Sequence, residues 1–86
     1  MKLKSSFVTQ MIDDTQFLVP LGSEKFHGIV RNNATAAFIV NQLKNDTTKE
    51  AIIDAMCAQY DAPRETIAAD VEKALNTLRS VGALEE

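Results

Sequence analysis

The chain of 86 residues carries one cysteine, one histidine, two prolines and three glycines, and these scarcities close off whole classes of function. A single thiol, Cys57, cannot form an internal disulfide, and Cys57 with His27 supplies too few ligands for a Cys/His zinc site. Gly22, Gly28 and Gly82 stand far apart, so no glycine-rich phosphate loop is present. No apolar run approaches the ~20 residues that cross a bilayer. The lysines of Met1–Phe7 are followed by neither a long apolar segment nor a small-residue cleavage site, so a cytoplasmic location is expected. Positive charge is also short. A net charge of −3 and a pI near 5.0 weigh against nucleic-acid binding, while leaving room for a local basic patch.

What is present begins with β-branched and aromatic runs. Phe7–Ile12 reads as a first strand, Asp13-Asp14 as a turn, and Gln16–Val19 as a second strand that Pro20, Leu21 and Gly22 end. Gly22-Ser23 can reverse the chain, so Phe26–Arg31 is expected to return antiparallel to the second strand. Along it Phe26, Gly28 and Val30 face one way, and His27, Ile29 and Arg31 the other. Gly28 marks a bulge, a tolerant edge or the close approach of another backbone.

The period then changes to that of a helix. Asn33 has the chemistry of an N-cap, and Ala36, Ile39, Val40 and Leu43 form an apolar stripe with Phe38 beside it, up to Asn45-Asp46. Thr47-Thr48-Lys49-Glu50 fits a capping box with Thr47 as the cap, ahead of a second helix that buries Ile52 and Met56 together with Ala55 and Tyr60. Pro63 opens a third helix with the stripe Ile67, Val71, Ala74, Leu75, Leu78 and Val81, and Gly82 offers a left-handed stop. The expected architecture is one α+β domain over residues 1–86. A three-stranded antiparallel sheet (about 6–31) is followed by three helices (about 33–44, 48–59 and 63–81) in a winged-helix-like order.

Catalytic chemistry is sparse. His27 stands alone on a strand, Cys57 lies between Met56 and Ala58 as a packed thiol, Asp13-Asp14 reads as a turn, and Asp70, Glu72 and Lys73 read as a solvated helix face. No catalytic residue, metal ligand or cofactor is assigned. The remaining route is recognition. By pattern alone the last strand reads as a solvated edge; its other use is to accept an extended peptide as an added strand.

The run Gly28-Ile29-Val30-Arg31-Asn32-Asn33-Ala34-Thr35-Ala36-Ala37-Phe38-Ile39 resembles the strand-to-helix passage of the coenzyme PQQ synthesis protein D family. Thr48 to Tyr60 is similar to that family's second helix, and Asp70-Val71 with Leu75, Leu78 and Gly82-Ala83-Leu84 is similar to its closing pattern, so that the likeness spans about Phe17 to Leu84. Asn32 stands where the family usually has an apolar residue, and Val40 where a tryptophan is common. The resemblance implies a non-enzymatic adaptor that holds the leader segment of a ribosomally made precursor peptide and delivers it to a modifying enzyme, often a radical maturase using S-adenosylmethionine. Carried onto this chain, the peptide lies beside Phe26, His27, Gly28, Ile29, Val30 and Arg31, against a helix wall of Asp70, Lys73, Ala74, Thr77 and Leu78. Two other readings remain open: a winged-helix-like DNA-binding regulator, and a homodimer that pairs its own third strands. For the regulator, Arg64, Lys73 and Arg79 are balanced by Glu65, Asp70 and Glu72, which leaves the last helix without a basic excess.

Overall fold

The computed structural model describes residues 1–21 and 28–86. Its elements are β1 (Lys2–Leu3), β2 (Phe7–Ile12), β3 (Thr15–Pro20), β4 (Val30–Asn32), α1 (Ala34–Gln42), α2 (Lys49–Gln59), α3 (Arg64–Ser80) and β5 (Leu84–Glu85). The α+β order is as expected, with the antiparallel sheet β2-β3-β4 ahead of the three helices. A second, two-stranded sheet pairs β1 with β5. Elements of two residues are too short to leave a periodic signature, and neither was anticipated.

The sheet takes its phase from a two-residue turn. Asp13 and Asp14 both have positive φ, 48° and 65°, which is the pattern of the hairpin turn that matches the twist of its strands. Ile12 then pairs with Thr15, and the register runs back to Phe7 opposite Pro20. Leu21 continues it by donating its N–H to the Ser6 carbonyl at 2.7 Å. Hydrogen-bonded and non-bonded pairs alternate along an antiparallel ladder, so Thr15, Phe17 and Val19 bond to β2, while Gln16, Leu18 and Pro20 turn their backbone groups toward β4.

That alternation accounts for the departures in β3 and β4. Pro20 extends β3 by one residue, because its missing N–H lies on the side away from β2. On the β4 side the same absence ends the ladder. Gln16 pairs with Asn32 and Leu18 with Val30, and the next bonded pair in this register would set Gly28 opposite a proline that cannot donate. Among the described residues the third strand is therefore Val30–Asn32, so that of the expected span Gly28 and Ile29 fall outside it and Val30 and Arg31 within it. Gly28 lies in a bend and Ile29 in neither strand nor helix, while Phe26, His27 and the reversal at Gly22-Ser23 fall outside the described residues.

The helices start and stop largely where local chemistry directs. Asn33 is the N-cap of α1, its side-chain oxygen accepting from Ala36 N–H at 2.8 Å. Thr48, not Thr47, caps α2 by accepting from Ala51 N–H at 3.1 Å. The Thr47 N–H is engaged by the Met1 carbonyl at 2.9 Å, and Glu50 pairs with Arg64 instead of reaching back to a cap. At the end of α3, Gly82 has φ 75° and donates to the Arg79 carbonyl, while Ala83 N–H reaches the Leu78 carbonyl. This Schellman geometry turns Ala83 and Leu84 back onto the core.

One core joins sheet and helices. Ile39, Val40 and Leu43 of the α1 region, Ile52, Ile53 and Met56 of α2, and Ile67, Val71, Leu75 and Leu78 of α3 are buried with Phe7 and Leu18 from the sheet. Ala55, Tyr60, Ala74 and Val81 are only partly buried, and Ile53 joins the core although the α2 pattern did not include it. No helix among the described residues is long and apolar enough to cross a membrane.

Among the described residues, two polar side chains are buried in this setting. Asn32 donates its amide to Gln16 at 2.8 Å, and Gln16 donates to Asn41 at 2.9 Å, so a polar chain runs from β4 through β3 to α1. It fixes the end of β4 against the start of the helical half. Asn32→Leu should leave the Gln16 amide oxygen without its partner and cost about 1–3 kcal/mol in urea unfolding, much of which the double change with Gln16→Leu should return. Equal costs for single and double variants would contradict the pairing. At the hairpin, Asp14→Gly should stabilise the fold by about 0.5 kcal/mol, because glycine takes a positive φ without strain. A lower urea midpoint for that variant would count against the assigned turn.

Candidate functional site

Continuing the ladder one residue identifies what β4 offers. Gln16 and Leu18 bond to Asn32 and Val30, so Arg31, opposite Phe17, is a non-bonded pair whose N–H and C=O point away from β3. β4 ends the sheet order β2-β3-β4, and this side has no strand partner among the described residues. A backbone donor and acceptor are thus presented together on an open edge, the arrangement that an extended peptide can continue.

The edge borders a groove of about 390 Å³ between β4, α1 and α3. Its floor is apolar: Ile39, Val40 and Leu78 are buried there, with Val30, Ala36 and Ala74 partly exposed above them. Its rim is polar, with Arg31, Asn33, Asp70, Lys73 and Thr77 exposed. On α3, Asp70, Lys73, Ala74, Thr77 and Leu78 lie three and four residues apart and so share one face. Small residues at 74 and 36 leave room for side chains that alternate from an added strand.

The charges divide the same helix in two. Glu72 is held below the usual carboxylate range, chiefly by its hydrogen bond from Lys49 of α2 and then by that lysine's charge. Arg79 makes two hydrogen bonds to Glu86, and Arg64 pairs with Asp54 and Glu50. Arg31, Asp70 and Lys73, by contrast, enter no ion pair among the described residues. The groove rim therefore keeps both signs of charge available, while the outward basic residues of α3 are matched by carboxylates of the same chain.

Of the residues expected from sequence, Val30, Arg31, Asp70, Lys73, Ala74, Thr77 and Leu78 all line this groove. Gly28 and Ile29 are exposed just before β4 and are not among its lining residues, and Phe26 and His27 lie outside the described residues. The α1 side of the groove, Asn33, Thr35, Ala36, Ile39 and Val40, and the buried Asn32 were not anticipated as lining. A signal for them was available. Only Asn33 separates β4 from α1, so the first turns of α1 must flank the strand's end.

Comparison with known proteins places this geometry in context. The family model for coenzyme PQQ synthesis protein D matches residues 15–84. Among solved structures, TbiB1 in complex with the TbiA(beta) leader peptide is similar at 29% identity, with 99% of this chain and 95% of that chain covered and a TM-score of 0.84. Lasso peptide synthetase B1 complexed with the leader peptide is similar in fold at 18% identity, with 99% and 96% covered and a TM-score of 0.80. A comparison with curated proteins gave no match. With the family model spanning both the sheet from β3 onward and all three helices, this chain belongs to the coenzyme PQQ synthesis protein D family.

Proposed function

We propose that the protein is a non-catalytic adaptor that binds the leader segment of a ribosomally synthesised precursor peptide and presents it to a modifying enzyme. The observation that carries this reading is the open β4 edge, where the Arg31 backbone faces a groove with an apolar floor and a rim whose charged residues enter no ion pair among the described residues. The leader-peptide complex of the similar TbiB1 supports the class of ligand, and the family resemblance supports a radical maturase as the enzyme served. The setting is the cytoplasm.

The geometry supports a particular pattern in the ligand. A leader residue opposite Arg31 would share its face of the sheet, where an acidic side chain meets the guanidinium, while its two neighbours would turn inward over Leu78, Ala74 and Ile39. An alternation of apolar and polar residues with a carboxylate between apolar anchors is therefore favoured. The DNA-binding reading gains nothing from α3, whose Arg64 and Arg79 are matched by carboxylates of the same chain. A second copy pairing through β4 would compete for the same Arg31 groups.

The reading is tested by titrating the isotope-labelled protein with the precursor leader encoded beside its gene. Saturable amide shifts should gather at Val30–Asn33 and Asp70–Leu78. Ala74→Arg, which fills the groove, should weaken binding at least about tenfold, or ~1.4 kcal/mol, with an unchanged circular dichroism spectrum. Saturation at another surface, or undiminished binding by a folded Ala74→Arg variant, would exclude this site.

A further inference from the structure

Among the described residues the sheet has a second open edge, on β2. The ladder phase that frees Arg31 also turns the backbone groups of Thr9 and Met11, and the Phe7 carbonyl, away from β3, because Val8, Gln10 and Ile12 make the bonds to β3. The Phe7 N–H is already satisfied by the Lys4 carbonyl at 3.1 Å. Edge strands are ordinarily defended by charge, proline, bulges or brevity. Phe7–Ile12 has six residues with no charge, no proline and no glycine, and Val8 is 41% exposed.

Beside this edge lies a groove of about 650 Å³ lined by β2, the β1 segment and the turn after α1. Lys2, Lys4 and Lys44 line it against a single carboxylate, Glu85, and none of the three lysines enters an ion pair among the described residues. In a chain of net charge −3 this is a local concentration of positive charge. It comes from neighbouring segments and not from the strand itself, and it flanks the ladder at its Phe7–Thr9 end. Two copies meeting β2 to β2 would set lysine against lysine.

We propose that the β2 edge is a second docking surface, which takes an acidic extended segment of another polypeptide by strand addition, with Thr9 and Met11 supplying backbone bonds and Lys2, Lys4 and Lys44 receiving its carboxylates. The site lies across the sheet from the β4 groove and shares no lining residue with it, so both edges can be filled at once. It stands independently of the leader-binding reading.

The test uses the full labelled chain and two blocked peptides of about eight residues, one alternating Glu with Val and the other Lys with Val. The Glu-Val peptide at millimolar concentration should shift the amides of Phe7–Met11, Lys4 and Lys44, while the Lys-Val peptide should not. The double variant Lys4→Glu, Lys44→Glu should bind the Glu-Val peptide at least about tenfold more weakly, with an unchanged circular dichroism spectrum. Several results would overturn the proposal: shifts confined to Val30–Asn33 and Asp70–Leu78, no shift at Thr9 and Met11, equal response to both peptides, or undiminished binding by the variant. A mass doubled through β2 in light scattering, or a response of these lysines to duplex DNA with none to the peptide, would overturn it as well.

Discussion

The alternation of hydrogen bonds along β3 is the constraint on which the rest of this molecule depends. A strand has two sides, and a residue whose backbone bonds to one neighbour cannot bond to the other. The two-residue turn at Asp13-Asp14 makes Ile12 and Thr15 a bonded pair, and every later assignment follows from that phase. It places the prolyl nitrogen of Pro20 on the β4 side, limits β4 to three residues, and leaves Arg31 facing outward. A one-residue slip would reverse all three. The proposed binding edge is thus determined well upstream of itself, by the conformation of two aspartates.

What could be read from sequence is what depends on neighbours along the chain. The Asn33 cap, the apolar stripes of the three helices and the glycine stop at Gly82 each involve groups within five residues of one another, and each is found. The shared face of Asp70, Lys73, Ala74, Thr77 and Leu78 was legible for the same reason, since helical spacing alone puts them together. The start of β4 was not, because it depends on whether Pro20 lies on the bonded or free side of a partner strand. Choosing Thr48 over Thr47 as cap depends on a contact with Met1, which no local pattern reports. The α1 wall escaped because Ile39 and Val40 were read only as core. They are core, and from the groove side they are also its floor.

Asn32 shows how a departure from a family pattern can be structural. A buried amide in place of an apolar side chain would be costly alone, but Gln16 stands opposite in the register and Asn41 completes the chain of donors and acceptors. Stiffening at that point holds the end of the edge strand, since Asn32 is the residue after Arg31 and the last of β4. Among the described residues the same sheet leaves a second, uncharged edge beside three lysines, and the two proposals together give a short meander with a helical backing two extended partners on opposite sides.

The central claim is that a leader peptide extends the ladder at Arg31, and amide hydrogen exchange at single-residue resolution tests it most directly. Val30 and Asn32 are already bonded to Leu18 and Gln16, so their protection should change little when the leader is added. The Arg31 amide should exchange readily in the free protein and become protected on binding. A bound leader that leaves Arg31 exchange unchanged would contradict strand addition at this edge.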